Sequence, residues 1–407
     1  MTSLNKPPNG TAAANEPKQQ TTAAGNQPGR PIPFVYSFPV WGKQYVDYLC
    51  KFAIPSLLAP KNLPALKNNG VSTFLICTTP EDRSRIQAAP IFKALSALIN
   101  VEFFDLPAVS DTLPGPDNLA EKYSLLMRGH AVAAMRAKGR GCAVFLGPDA
   151  IYSDGMLPRL YELVSNGKTA VVGMGLRVIE ETIVPALVKQ NILRESEPLS
   201  LQPRQAVNLL VQHLHEDARI MRWDSPYFPW SPYMAIWDSP AGDGVLVRSY
   251  SLHPYILDYR AVSGHRVSPS ETAIDAGFLT ECLIPPAQVY QVLDSDEFVV
   301  LSLSHIDRRE YQRHSNVNRL AALCQSAYRQ DITMLNRIFF MNAIKFHAGD
   351  LDHHWAQLEQ DSLEIAYKAL AQSPQAPPLD LARVSGWVAV RVVLSKIGEK
   401  LKSWTGR

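Results

Sequence analysis

Five short apolar runs, Phe34–Val40, Val71–Cys77, Val101–Leu106, Cys142–Leu146 and Thr169–Met174, are separated by segments with helical apolar spacing. This alternation constrains the fold more than any other feature. Each run is long enough for a buried strand and too short for a helix. The intervening segments 43–58, 60–68, 80–98, 118–137 and 156–166 read as helices, with Pro55 and Pro60 breaking the first two. Strands alternating with crossover helices give an α/β fold with a mostly parallel sheet. Right-handed crossovers bring the ends of such strands to one edge. The loops 39–43, 78–82 and 147–155 are therefore expected to line one crevice, where open α/β sheets hold ligands.

The 40 Lys and Arg nearly balance the 38 Asp and Glu, so no basic field points to nucleic acid. The five cysteines, Cys50, Cys77, Cys142, Cys282 and Cys324, are scattered without CxxC spacing. That pattern predicts reduced thiols in a cytoplasmic protein rather than a disulfide framework or a zinc knuckle. No apolar run approaches the length of a membrane span, and the start of the chain has no signal-peptide core. Walker A, GxGxxG and GxSxG patterns are all missing.

Composition divides the chain. Residues 1–31 are too poor in large apolar groups to fold and read as a disordered tail. One α/β domain is expected over 32–310, with helices at 176–191 and 203–217 and strands at 245–251, 288–293 and 298–303. The aromatic and proline-rich stretch Trp223–Tyr233 is expected to pack over the crevice as a lid. A helical extension follows over 311–373, a proline-rich break over 374–380, and a basic amphipathic helix over 381–407. In that last helix Trp387, Val390, Leu394, Ile397, Leu401 and Trp404 form one apolar stripe, with Lys396, Lys400 and Lys402 elsewhere. Such a helix suits an anionic membrane surface, and equally a docked terminal helix.

The chemistry concentrates after the fourth run. Phe145-Leu-Gly-Pro-Asp149 ends a buried strand in a carboxylate, and Ser153, Asp154 and Gly155 follow before the next helix. Carboxylates at that place suit a divalent cation holding a phosphate. The same residues also read as helix caps. Phe145–Asp149 resembles the strand and Asp-x-Asp element of GT-A-fold nucleotide-sugar glycosyltransferases, the glycogenin-like sugar transferases in particular. Trp41-Gly-Lys-Gln-Tyr45 with Pro55-Ser-Leu-Leu58, and Ser249–Pro254, look like elements of bacterial proteins of this fold. The chain departs from the pattern at Gly147, where the family has its first aspartate.

The resemblance implies a GT-A-like domain over 32–310. It would move a sugar from a nucleotide-diphospho-sugar to a lipid-linked or polysaccharide acceptor, near the inner face of a bacterial envelope. It implies a divalent metal, Mn²⁺ or Mg²⁺, held by Asp149 and by a late histidine, for which His253 is the candidate. Donor contacts are expected from Lys122, Tyr123, Asp149, Ser153, Asp154 and Gly155, and the acceptor base from Asp275. Gly147 also leaves room for a non-catalytic binding or scaffold protein of the same fold. Asp294-Ser-Asp296 is a literal Asp-x-Asp, but it reads as a hairpin turn between its flanking strands. A metal-dependent hydrolase would instead use His213 with His215, or His347, Asp350, His353 and His354.

Overall fold

The computed structural model describes residues 30–107, 119–262, 276–306, 317–329 and 331–371. Among them are thirteen strands. The first six are β1 (Phe34–Pro39), β2 (Thr73–Thr78), β3 (Asn100–Asp105), β4 (Cys142–Phe145), β5 (Ala150–Tyr152) and β6 (Ala170–Gly173). The next four are β7 (Gly175–Ile179), β8 (Met234–Asp238), β9 (Gly244–Ser249) and β10 (His253–Asp258). The last three are β11 (Val289–Gln291), β12 (Val300–Ser304) and β13 (Ile344–His347).

Seven of these form a central sheet in the order β11-β6-β10-β4-β1-β2-β3. Neighbouring strands run parallel except at β10, which is antiparallel to both β4 and β6. The five sequence runs are β1, β2, β3, β4 and β6, so the expected α/β class with a mostly parallel sheet is what the chain forms. Two smaller sheets accompany it, β5-β12-β7 and the antiparallel β13-β9-β8.

Alternation along β1 divides the core. Phe34, Tyr36 and Phe38 face one layer, packed with Leu95 and Leu160 from the helices on that side. Val35 faces the other, with Ala133, Ala134 and Ala137 of the helix Leu119–Ala137. Successive side chains of a strand point to opposite faces, so a strand buried on both sides must be apolar throughout.

Several local expectations are corrected. The segment 80–98 is two helices, Pro80–Ala88 and Pro90–Leu98, because Pro90 removes a backbone donor and restricts Ala89 before it. The helix begun at Lys43 runs on through Pro55, which follows a wider π turn at Leu49–Ala53, and ends at Leu57. Residues 60–68 hold only a short 3₁₀ turn at Leu63–Ala65. The stretch 176–191 starts as β7 before the helix Glu180–Lys189. β10 went unread because it contains Pro254, a residue that central strands normally exclude. Its register against β6 shifts between Pro254 and Ile256, and such an irregularity is where a strand can carry a proline.

The segment 316–373 is broken into helices Arg319–Ala327, Met334–Met341 and His353–Ala371, with β13 between the last two. Buried Arg248 of β9 ties these together. Its guanidinium donates to the Ser362 hydroxyl at 2.9 Å and to the carbonyls of Met341 at 2.6 Å and Glu359 at 3.0 Å. No helix among the described residues is long and apolar enough to cross a membrane. None of the five cysteines is in a disulfide. The tail before residue 30, Asp275 and the basic helix 381–407 lie outside the described residues.

Candidate active site

The chain changes direction across the sheet between β1 and β4. β2 and β3 lie on one side of β1, and β4 lies on the other. Loops leaving the carboxyl ends of two such strands part from each other and open a crevice. A cleft of about 210 Å³ lies there. The end of β1 supplies Pro39, Val40 and Trp41, and the following helix supplies Tyr45. Leu146, Gly147, Pro148 and Asp149 follow β4. Helix Leu119–Ala137 contributes Leu126 and His130. His253, the first residue of β10, completes the lining. Because β10 is antiparallel, its start emerges at the edge where β1 and β4 end.

Two of the eight candidate residues therefore meet in one place, Asp149 and His253. Asp149 is half-buried, and its backbone carbonyl accepts the Leu303 N–H of β12 at 2.7 Å. A Cβ at Gly147 would stand 3.0 Å from Asp149 Oδ1, so this carboxylate lies back over the glycine. The buried Tyr152 hydroxyl bonds both the N–H and the carbonyl of Gly147, each at 2.8 Å, and fixes the turn. His253 Nε2–H donates to the Phe145 carbonyl at 2.9 Å. Burial pushes the His253 pKa down, against the smaller opposing effect of that bond. A neutral imidazole that donates through Nε2 carries its lone pair on Nδ1.

His130 was not singled out by the sequence, where it reads as one more position on a helical apolar face. It is buried, and its Nδ1 lies 2.9 Å from Ser37 Oγ of β1. Its pKa is pushed down to about 3, first by burial and then by the charge His253 would carry. The helix can bring His130 to the sheet because residue 129 is glycine. A Cβ there would fall 2.7 Å from Pro39 Cγ.

The other candidates are placed elsewhere. Asp154 is buried and its carboxylate is used: Oδ1 accepts the Lys61 N–H at 2.7 Å and Oδ2 the Ser200 hydroxyl at 2.9 Å. Ser153 Oγ accepts the Val299 N–H at 2.8 Å, and Gly155 caps the helix Met156–Ser165 with φ 101°. These three brace the loop and do not line the cleft. Tyr123 is exposed on the helix that carries Leu126 and His130 but is not a lining residue. Lys122 lies in the same helix, and its side chain is outside the described part. Of the three expected loops, 78–82 supports rather than lines: Asp82 Oδ2 accepts the Gly42 N–H at 2.8 Å.

The aromatic stretch is no lid on this cleft. Trp223 stacks on Trp237 of β8 at 5.7 Å and meets Phe228 edge-on, and none of residues 223–233 lines the cleft.

Of the histidine clusters, His213 bonds the Thr182 hydroxyl through Nδ1 and has no partner on Nε2, and Asp352, His353 and His354 form an exposed group with ligand atoms within 4.8 Å of one another, in which His354 Nδ1 is bonded to Asp352. His215 donates through Nε2 to the His305 carbonyl at 2.9 Å and accepts the Asp217 N–H on Nδ1 at 3.1 Å. Asp294, Asp296 and His347 bring ligand atoms within 4.8 Å of one another. Yet His347 bonds Gly349 O at 2.6 Å and Asp294 Oδ1 at 2.9 Å, one partner on each nitrogen. Its bond to Asp294 raises the His347 pKa and lowers that of Asp294, as in an ion pair. Asp296 is paired with Arg204 at 2.9 Å. The Asp-x-Asp turn also joins two different sheets, since β11 and β12 do not pair, so it is not a hairpin.

No protein-family model matches the sequence, and no curated protein matches it. Among solved structures, one likeness is to a protein described as a glucose-1-phosphate thymidylyltransferase from Bacillus anthracis in complex with sucrose. It has 12% identity and a TM-score of 0.23, over 37% of this chain and 57% of that one. The chain thus spans little more than half of that protein. Another is to the mannosyltransferase PcManGT from Pyrobaculum calidifontis in complex with GDP-Man and Mn²⁺. It has 11% identity and a TM-score of 0.31, over 92% and 83% of the two chains. At these values neither likeness carries an argument about the cleft, and the geometry above stands on its own.

Proposed function

We propose that the cleft is the donor site of a glycosyltransferase that uses a nucleotide-diphospho-sugar. The observation that carries this reading is the meeting of Asp149 and His253 at the switch point of the sheet, beside the rings of Trp41 and Tyr45. When the glycosidic bond breaks, negative charge grows on the departing diphosphate. A divalent cation there would stabilise that charge more in the transition state than in the ground state. The donor set suits Mn²⁺ or Mg²⁺: Asp149 and His253 Nδ1 would hold it, with phosphate oxygens and water as the remaining ligands. The Phe145 carbonyl orients His253 by holding its other nitrogen. Trp41 and Tyr45, both half-buried, offer flat faces to a base or a sugar ring. The proposed acceptor is a lipid-linked or polysaccharide glycan, with the basic segment 381–407 as the contact to an anionic membrane surface.

A second reading is a binding protein of the same fold that does not turn over its donor. Gly147 favours it, because the position has no carboxylate and both its backbone groups are held by Tyr152.

The test is thermal melting with Mn²⁺ and a panel of UDP-, GDP- and CMP-sugars. At about 100 times Kd a ligand stabilises by about 2.7 kcal/mol. One nucleotide should raise the melting temperature in a metal-dependent way, and Asp149→Ala should abolish the rise. A panel without effect, or a rise that persists in the variant, contradicts the reading. Liposome co-sedimentation with and without 381–407 tests the membrane contact, and equal pelleting removes it.

A further inference from the structure

A second pocket, of about 170 Å³, lies between the loop that precedes β8 and the turn after helix Arg319–Ala327. It shares no lining residue with the Asp149 cleft. Its volume holds a single small unit.

Its lining is specific. Tyr233 presents a partly exposed ring, and Pro232 and Ile332 add apolar surface. Arg329 and Asp331 are bonded side by side, Nε to Oδ1 at 3.0 Å and Nη2 to Oδ2 at 2.6 Å, and a third guanidinium donor reaches Ser231 Oγ at 3.2 Å. A guanidinium has five donors and a carboxylate about four acceptor sites, so both groups keep capacity after pairing. Ser326 is 1% exposed, and its hydroxyl has no hydrogen-bond partner. A buried polar group without a partner costs free energy and calls for an explanation.

These features exclude two ligand classes. Among the described residues Arg329 and Asp331 are the only charged ones in the lining and they cancel, so no net positive charge draws an anion. A purely apolar ligand would leave the Ser326 hydroxyl unpaired. The paired charges, the tyrosine ring and the buried hydroxyl fit a small molecule without net charge that has one apolar face and several hydroxyls.

We propose that this pocket binds one neutral sugar unit, its C–H face against Tyr233 and its hydroxyls on Ser326, Arg329 and Asp331. The inference does not depend on the donor reading of the Asp149 cleft.

The experiment is saturation-transfer NMR and calorimetry on the full chain with glucose, galactose, mannose and N-acetylglucosamine, and with inorganic phosphate as the anionic control. At least one sugar should bind and phosphate should not. Ser326→Ala and Asp331→Asn should each weaken that sugar about tenfold, whereas Asp149→Ala should leave it unchanged. Ser326→Ala removes a buried hydroxyl that bonds nothing, so its melting temperature should be no lower than that of the parent. The proposal is overturned if no sugar binds, if binding survives both pocket substitutions, if Asp149→Ala removes it, or if phosphate binds in a way those substitutions abolish.

Discussion

The imidazole of His253 is tied by Nε2 to the carbonyl oxygen of Phe145, 2.9 Å away and 108 positions earlier in the chain. The bond joins the start of an antiparallel strand to the end of a parallel one, and it settles which nitrogen can act as a ligand. The expected consequence is a neutral ring at pH 7 with its proton on Nε2, since burial holds its pKa below the usual value. Long-range ¹⁵N–¹H correlation spectra check this directly. A charged ring, or a proton on Nδ1, would contradict it.

His130 should make the fold sensitive to acid. Its pKa is 6.5 when unfolded and about 3 when folded, so below pH 6.5 the unfolded chain takes up the proton first. Its contribution is present above that pH and is lost progressively as pH falls towards 3. At 1.36 kcal/mol per pKa unit the loss is about 2 kcal/mol by pH 5. Urea unfolding of the parent and of His130→Gln at several pH values tests this, and the variant should show the flatter dependence on pH.

Gly129→Ala separates two opposed effects. Helix propensity alone favours alanine by about 1 kcal/mol. The new Cβ, however, would lie 2.7 Å from Pro39 Cγ and 3.1 Å from Cys77 Cβ, so either the helix or the end of β1 must move. Overpacking of this kind costs about 1–3 kcal/mol. Net destabilisation in urea unfolding is expected, and a stabilised variant would mean that the helix sits further from the sheet.

Arg248→Leu should destabilise the chain by at least about 3 kcal/mol. The substitution leaves the Met341 and Glu359 carbonyls without their buried charged donor. Chemical denaturation measures the loss. A change below about 1 kcal/mol would show that water or another group satisfies these carbonyls.

Much of the central sheet was legible because β1, β2, β4 and β6 are buried on both faces, which forces near-continuous apolar runs, while β3 at the sheet edge is partly exposed and still carries Val101, Phe103 and Phe104. β5, β7, β8 and β13 were not: β7 runs directly into the helix Glu180–Lys189 and β13 lies between two helices, so their few apolar residues merge into the neighbouring helical spacing. Asp149 could be placed from its position after a buried strand. His253 came only from a resemblance, because Pro254 hid the strand that delivers it. His130 gave no signal at all: its role depends on the close approach at Gly129, a tertiary fact. The density of aromatic residues in Trp223–Tyr233 correctly marked an ordered segment, but composition says nothing about which surface such a segment covers.

The central claim is that the cleft at Asp149 cleaves a nucleotide-diphospho-sugar with the help of a divalent cation. The most direct measurement is ³¹P NMR of the purified chain with Mg²⁺ and each UDP- and GDP-sugar of the panel, following the nucleoside diphosphate set free over time as the sugar passes to water in place of the acceptor. The account predicts release from one donor, stopped by chelation of the metal and by Asp149→Asn in a variant that melts at the parent temperature. Release that continues in Asp149→Asn, or no release from any donor, would contradict it.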